Sequence, residues 1–202
     1  MTSPSLMSTL RTATAERHAR TESLVPLLDP ALGLGGYAAI LLRFRVVYTV
    51  LEDALAQVPE WPAGFAVEPR RWSPRLERDL GWLDERGALG PQSFDFVAMS
   101  PMTAPVPTLP SAIGILYVLE GAALGGQLIA RRLGPRLGVS PAGGACFFAG
   151  AGDATGRRWR EFGAMVDRWG AEHRREWGGV VASARATFDA IATPFATSPV
   201  VP

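Results

Sequence analysis

The sequence contains no lysine, so all twenty of its basic residues are arginine. Chemistry that needs a lysine amine, such as Schiff-base catalysis or the phosphate-binding lysine of a P-loop, is therefore excluded. Cysteine and histidine are also scarce, with Cys146, His18 and His173 as the complete set. These side chains are too few for a three-histidine zinc centre or a multi-cysteine cluster. A protein so poor in catalytic side chains suits a cofactor that carries most of the chemistry itself.

Neither the charge nor the hydropathy of the chain indicates a nucleic acid or a membrane. The formal net charge is +1, too small to favour a polyanionic partner. No run of consecutive apolar residues reaches the ~18 expected of a membrane span. The N-terminal segment MTSPSLMSTL lacks the basic start and cleavage site of a secretory signal. A single cysteine cannot form an intramolecular disulfide, which agrees with a reducing compartment. We therefore expect a soluble, cytoplasmic protein.

The length and the hydrophobic periodicity predict one all-α domain. A chain of 202 residues fits a single domain over 1–202, which should bury roughly 70% of its unfolded surface. Proline and glycine clusters predict connections over about 58–72, 87–110 and 134–144, and a frayed tail over 193–202. Apolar residues at helical spacing, together with the cap-plus-proline pairs Ser3-Pro4 and Ser73-Pro74, predict the helices. We expect these over about 3–23, 37–55, 73–83, 110–133, 153–169 and 173–192.

His18 is the first candidate for chemistry. It shares one stripe of the first helix with Leu10, Thr14 and Glu22, because these residues follow one another at intervals of four. A neutral imidazole can ligate iron, and a carboxylate such as Glu22 on its other nitrogen would raise its basicity. Alternatively, His18 is an ordinary surface histidine in a charged helix. His173 lies in the charged run GAEHRRE and is expected to be solvated.

The second candidate is the glycine-rich helix GILYVLEGAALGGQ over 114–127. It contains Gly114, Gly121, Gly125 and Gly126, and each glycine destabilises a helix interior by about 1 kcal/mol relative to alanine. A flat ligand lying close against the backbone would account for such a pattern. Close helix–helix packing through small residues would account for it equally well.

Aromatic and arginine side chains on the last two helices form a third group of candidates. Most of the aromatic residues are expected in the core, namely Trp159, Phe162, Trp169, Trp177 and Phe188. Arginine suits bidentate contacts to carboxylate groups. A ligand that carries carboxylates could therefore be bound by Arg11, Arg157, Arg158 or Arg160, although each of them is individually consistent with an ordinary surface residue.

At these residues the sequence resembles the haem oxygenase family. LRTATAERHARTE, residues 10–22, resembles the proximal segment of the family, and LYVLEGAALGGQLIARRL, residues 116–133, resembles its distal helix. Further similarity lies in CFF at 146–148, RWREF at 158–162 and ATF at 186–188. The motif YVLEG is most similar to bacterial members, including those that make bilin chromophores for phytochromes.

The resemblance implies a single-domain, all-α helical bundle in which His18 is the axial iron ligand. It implies close distal contacts to haem by Gly121 and Gly125, carboxylate contacts by Arg11 and Arg160, and an aromatic pocket wall at Phe188. The complete set of haem-binding residues that it implies is His18, Arg11, Glu22, Tyr117, Gly121, Gly125, Gly126, Arg160 and Phe188. The catalytic set is Gly121, Gly125 and Glu120.

The reaction implied by the resemblance is the opening of haem to biliverdin, carbon monoxide and ferrous iron. Haem is then both cofactor and substrate, O2 is the oxidant, and a ferredoxin- or flavodoxin-type reductase supplies the electrons. A bacterial phytochrome is a candidate recipient of the biliverdin. One position departs from the family, because Ala122 stands where animal and cyanobacterial members carry an aspartate. Proton delivery would then use backbone carbonyls, water or another side chain such as Glu120.

Three other functions remain open. The first is a haem-binding carrier or sensor on the same fold without turnover, which the missing aspartate favours. The second is a di-iron carboxylate or thiamine-degrading relative of the same bundle, which the absence of a Glu-x-x-His motif disfavours. The third is a purely structural helical partner protein, which would bind no haem tightly.

Overall fold

The computed structural model describes residues 4–62, 65, 71–90, 107–197 and 200. Its helices are α1 Leu6–Leu24, α2 Leu34–Ala56, α3 Ser73–Asp84, α4 Leu109–Leu137, α5 Cys146–Ala149, α6 Thr155–Glu172 and α7 Trp177–Thr197. Short 3-10 turns at Gly152–Ala154 and Arg174–Glu176 precede α6 and α7. The described residues form no strand and only isolated bridges from Ser140 to Gly143 and Gly144. The prediction of an all-α fold is confirmed.

The first helix begins at a polar cap and buries one stripe. The Ser5 hydroxyl accepts a hydrogen bond from the Ser8 amide at 3.3 Å, which satisfies one of the free amides at the helix start. The cap is therefore Ser5 and not the predicted Ser3, which lies outside the described residues. Leu6, Leu10 and Thr14 are the buried residues of α1. Their spacing of four aligns them on the stripe predicted to lead to His18.

Two buried carboxylates satisfy helix starts that have no cap of their own. Glu52 on α2 accepts hydrogen bonds from the Trp72 amide at 2.5 Å and the Ser73 amide at 3.0 Å. Asp79 on α3 accepts from the amides of Cys146 and Phe147, each at 2.8 Å. These bonds join α2 to α3, and α3 to α5, through groups that would otherwise be unpaired in the core.

Several helix boundaries differ from the sequence prediction. α4 continues through Gly134 and Pro135 to Leu137, and Gly138 ends it with a φ of 68° in the left-handed region. α6 begins at Thr155 after a 3-10 turn that contains Asp153, so Asp153 is not its cap. α7 begins at Trp177 and not at 173.

The expected frayed tail is partly helical. α7 runs through Pro194 to Thr197 because its last turns are anchored in the core. Phe195 is buried, and its ring centroid lies 5.4 Å from that of Phe44 on α2. The predicted loop over 87–110 falls mainly on 91–106, which lies outside the described residues.

Two core helices are long and apolar enough to pass a test for membrane spans. They are α2 and α4, and about half or more of their most apolar stretch is buried inside the protein. Neither is an uninterrupted apolar run, in agreement with the sequence expectation, but their mean hydropathy and length would allow a span. Helices packed this extensively against their neighbours are also typical of soluble cores, so the match is weak evidence for a membrane.

α6 and α7 hold α1 and α4 in position. The most extensive helix contacts among the described residues join α7 to α4 and α7 to α1, while α6 also packs against both. No comparable contact joins α1 to α4 directly within the described ranges. The residues that the sequence analysis assigned to chemistry lie mainly on these four helices, which makes the space between α1 and α4 the region of interest.

Candidate functional site

His18 is presented at the point where the buried stripe of α1 becomes exposed. Its side chain is 57% exposed, and Nδ1 lies 3.7 Å from the Glu22 carboxylate one turn later. Nε2 is therefore the ring nitrogen on the side away from Glu22, and it is the one available to an external ligand. The Phe188 ring of α7 contacts the imidazole edge-on, with 5.6 Å between centroids.

Polar contacts beside His18 attach α1 to α7. The Arg17 guanidinium pairs with the Asp189 carboxylate at 3.0 Å, and Arg185 donates to the carbonyl of Ala13 at 2.9 Å. The pair is partly exposed, so its contribution to stability is small. Its position matters more, because Arg17 and Asp189 are the chain neighbours of His18 and Phe188. No periodicity in the sequence indicated this pairing.

The four glycines of α4 divide into two groups. A Cβ on Gly114 would collide with the Val180 carbonyl and would lie 2.8 Å from the Ala184 amide nitrogen of α7. A Cβ on Gly126 would lie 2.8 Å from the Phe148 carbonyl. These two glycines permit close packing, which is the structural alternative that the sequence left open. Gly126 therefore faces α5 and not the open side of α4, where a predicted haem contact would have to lie.

Gly121 and Gly125 lie on the other, less covered part of α4. Among the described residues, a Cβ on Gly125 would meet no atom within 4 Å, and one on Gly121 would meet only Trp159, at 3.6 and 3.7 Å. Leu124 and Leu128 flank this surface and are 41% and 55% exposed. Exposed leucines beside a bare helix backbone form an apolar surface of the kind that binds a ligand.

One stripe of α7 connects the two parts of the site. Ala184 packs against Gly114 of α4, and Phe188, one turn later, contacts His18 of α1. On α4, the stripe of Gly114 continues to Gly121 and Gly125, because intervals of seven and eleven residues return to nearly the same face. The imidazole thus contacts α7 directly, and the open glycines belong to the helix that α7 contacts at Gly114.

Aromatic rings of α6 line the space next to Gly121. Trp159 stacks on the buried Phe162 with 5.8 Å between centroids and an angle of 27°. The Trp159 ring also contacts the ring of Tyr117 on α4, with 5.8 Å between centroids. Trp159 and Tyr117 are half-buried, whereas Phe162 and Phe188 belong to the core. The sequence predicted a core role for Trp159 and missed its position over Gly121.

The remaining charged candidates are distributed around the site. Arg11 and Arg160 are exposed and form no ion pair with any described residue. Arg157 lies 3.8 Å from Glu161. Glu120 is buried and lines a small depression with Trp72, Arg75 and Arg158, among other residues, so it faces the α3 and α6 side of α4. The sequence predicts that His173 is solvated, but its ring stacks on Trp169 with 4.6 Å between centroids, so the ring is partly covered.

The part of the chain that the structure describes contains no cluster of side chains that could bind a metal ion without a cofactor. Within those ranges no group of three or more His, Cys, Asp or Glu side chains is arranged to hold a metal ion. The donors that the site does offer are one imidazole with a carboxylate beside it. Such a set suits an iron already held by a macrocycle, which needs only an axial ligand from the protein.

Comparison with known proteins identifies relatives of the whole chain. The family model described as haem oxygenase matches residues 4–196. The sequence has no significant match among curated proteins.

Solved structures resemble the fold at low sequence identity. Haem oxygenase from Leptospira interrogans matches with a TM-score of 0.73 at 18% identity, covering 96% of this chain and 100% of that one. The NO- and CO-bound haem oxygenase from Neisseria meningitidis matches with a TM-score of 0.72 at 18% identity, covering 98% of this chain and 96% of that one. Haem oxygenase 2 from Chlamydomonas reinhardtii without haem matches with a TM-score of 0.71 at 18% identity, covering 98% of this chain and 99% of that one. These likenesses establish a shared architecture along the full chain.

Proposed function

The chain belongs to the haem oxygenase family, and on that premise we propose that it binds haem and opens the macrocycle to biliverdin, carbon monoxide and ferrous iron. The observation that carries the proposal is that α7 contacts both the helix that bears His18 and the helix that bears Gly125. The imidazole is exposed on α1, and no described side chain covers the backbone of α4 at Gly125. A flat, iron-bearing ligand would need one contact of each kind, on its opposite faces.

The residues of the site fit a porphyrin. His18 would supply the nitrogen for the iron, while the Glu22 carboxylate, 3.7 Å from the other nitrogen, would make the imidazole a stronger donor. Gly125 lets the backbone approach a planar ring, because no Cβ stands between them. Leu124 and Leu128 contribute apolar surface, which the ring would remove from water at about 25 cal/mol per Å².

When bound, haem supplies the iron that activates O2 with electrons from an external reductase. The chain contributes positioning and the exclusion of competing chemistry. Within one turn of Gly125, on the distal side, α4 presents mainly glycine, alanine and leucine, and Ala122 carries no acidic group. Because this turn of α4 carries no imidazole or guanidinium, its side chains would not promote the O–O cleavage of a peroxidase.

Proton delivery on this face falls to water and backbone carbonyls. Ala122 and Gly125 are exposed, so solvent has access to α4 beside them. Glu120 remains the acidic side chain nearest in sequence, and we propose it as an indirect proton source through the depression that it lines with Arg75 and Arg158. Since Glu120 faces away from Gly125, this route would need at least one bridging water.

The carboxylates of the porphyrin require cationic partners at the edge of the site. We propose Arg11 on α1 and Arg160 on α6 for this role, because both are exposed and neither is already in an ion pair with a described residue. Phe188 and Tyr117 would contribute aromatic surface to the pocket wall. The electron donor is proposed to be a ferredoxin- or flavodoxin-type reductase in the cytoplasm, and a bacterial phytochrome is the proposed recipient of biliverdin.

The competing function is a haem carrier or sensor that does not turn over. Ala122 favours it, because an acid that could order distal water is missing there. A haem titration followed by reductant and air separates the two functions by absorption spectroscopy. Replacement of the Soret band by bilin absorption is expected for the oxygenase, whereas a Soret band that persists under these conditions would leave only binding.

A further inference from the structure

The indole of Trp159 covers Gly121. Its Cη2 and Cζ3 atoms lie 3.6 and 3.7 Å from the position that a Gly121 Cβ would occupy, which is ordinary van der Waals contact. The Trp159 ring also stacks on Phe162, which is fully buried. The ring is therefore anchored to the core by Phe162, while its Cη2–Cζ3 edge lies over the backbone of α4.

Trp159 also lies on the wall that separates α1 from α4. Gly163, one turn further along α6, contacts Met7 of α1, with 3.4 Å between the position that a Gly163 Cβ would occupy and the methionine methyl carbon. The amide of Met7 also donates to Asp167 at 2.8 Å. Because α6 packs against α1 at one turn and against Gly121 at the preceding turn, Trp159 borders the space between the two helices.

The two candidate distal glycines are consequently not equivalent. The face of Gly125 is bare, whereas that of Gly121 is already in contact with an aromatic ring. At Gly125 no described atom lies within 4 Å of the Cβ position, so the backbone of α4 is accessible to a planar ligand there. If the ligand were placed one turn closer to Gly121, the edge of the ligand would contact the Trp159 indole.

We propose that Trp159 contacts the edge of the porphyrin and determines how far the ring extends along α4. The inference rests on the proposed function, and it assigns to Trp159 a role in specificity. The meso carbon that is attacked would be the one held next to the open part of α4 near Gly125. A residue that limits how far the porphyrin can shift or rotate within its own plane therefore influences which meso carbon is attacked.

The test compares Trp159→Phe and Trp159→Ala with the wild type and with Trp169→Phe as a matched control. Phenylalanine retains packing on Phe162 but lacks the outer ring atoms that cover Gly121, so it is the variant least disturbing to the fold. Trp169 is on the same helix, but its ring stacks on His173. Three quantities are measured for each protein: haem affinity, the Soret maximum of the complex, and the bilin isomers formed, separated by chromatography.

We expect both Trp159 variants to shift the Soret maximum and alter the proportions of the bilin isomers. Trp159→Ala should also bind haem about three- to ten-fold more weakly, the range expected for a lost aromatic contact. Trp169→Phe should match the wild type. Wild-type affinity, spectrum and isomer proportions in both Trp159 variants would overturn this inference alone. A wild-type protein that binds no haem would overturn the proposed function as well. A wild-type protein that binds haem without opening the ring would refute the effect on isomer proportions. In that case the haem affinity and the Soret maximum would still decide whether Trp159 contacts the porphyrin.

Discussion

The imidazole of His18 and the ring of Phe188 meet edge to face, with 5.6 Å between their centroids and 88° between their planes. Phe188 thereby supports the imidazole, whose side chain remains 57% exposed. Four residues earlier on the same helix, Ala184 packs against Gly114. A single helix, α7, thus supports the proposed ligand on α1 and the glycine-rich helix α4.

Replacement of His18 by alanine should remove axial ligation and leave the fold intact. The side chain is 57% exposed and contributes no buried packing apart from its contact with Phe188. Surface substitutions of this kind usually change stability by about 0.5 kcal/mol or less. We expect a haem titration of His18→Ala to show a shifted Soret band and the loss of most ring-opening activity, with an unchanged circular dichroism spectrum.

His173→Ala provides the control for this experiment. His173 is the only other histidine in the sequence, and its ring stacks on Trp169 away from Phe188. Its haem spectrum should match that of the wild type. If the spectrum of His18→Ala were also unchanged, the assignment of the iron ligand would be wrong.

Glu22→Gln should weaken haem binding while retaining the ligand. The carboxylate faces Nδ1 of His18 at 3.7 Å, where its negative charge increases the donor strength of the imidazole. Loss of such a partner typically lowers metal affinity by about 10- to 100-fold, and the exposure of this pair places the expected effect at roughly ten-fold. Affinity measured at low and at high salt checks the cause, since the difference between the two proteins should shrink as salt screens the charge.

The residues that bear on function could be found from the sequence to different extents. The stripe from Leu10 through Thr14 to His18 follows directly from helical periodicity, and the structure has the first two buried. The spacing of Gly114 and Gly121 could not show which glycine packs against a helix and which faces a more open surface, because both lie on nearly the same face of α4. The difference comes from the neighbouring residues, which belong to α7 at Gly114 and are the Trp159 ring at Gly121.

Long-range polar contacts could not be read from local patterns. Glu52 lies 20 residues before the Trp72 amide that it accepts from, and Asp79 lies 67 residues before Cys146. Nothing in the helical pattern of α2 or α3 marks these two carboxylates as helix caps for other segments. The end of α7 likewise differs from the prediction, because proline at 194 predicts a tail while the burial of Phe195 keeps the helix intact.

Alanine substitutions at the glycines of α4 should separate stability from binding. At Gly114 and Gly126 the new methyl group would overlap backbone atoms, which cannot move aside easily. We expect each to destabilise the fold by about 1–3 kcal/mol. At Gly125 the methyl would point into open space, so helix propensity should stabilise the fold by about 1 kcal/mol. Urea unfolding of the haem-free proteins measures all three.

The same Gly125→Ala protein should bind haem less well although it folds more stably. A methyl group on the bare face of α4 would stand between the backbone and the porphyrin. An overlap of this kind corresponds to about 1–3 kcal/mol, or roughly a five- to hundred-fold loss of affinity. Unaltered haem affinity in Gly125→Ala would show that the porphyrin does not lie against this glycine, whatever the result for His18.

Asp79 should make the stability of the fold depend on pH. Burial raises the pKa of this carboxyl, and the hydrogen bonds from Phe147 and Cys146 and the charge of Arg78 only partly oppose the rise. A carboxyl whose pKa is higher in the folded than in the unfolded chain binds its proton more tightly when folded. Its contribution is therefore greatest at low pH and is lost as the pH rises from about 4, the unfolded value, through the folded pKa.

Comparison with Asp79→Asn isolates this contribution from those of the other carboxylates. The amide cannot ionise, and it offers one acceptor oxygen where the carboxylate uses two for Cys146 and Phe147. The variant should therefore be less stable than the wild type, because one buried amide loses its partner. The difference in unfolding free energy between the two proteins should narrow as the pH rises from about 4 toward neutrality. A difference that widened over this range would mean that the hydrogen bonds to the carboxylate outweigh its burial, so that its pKa is lowered by folding.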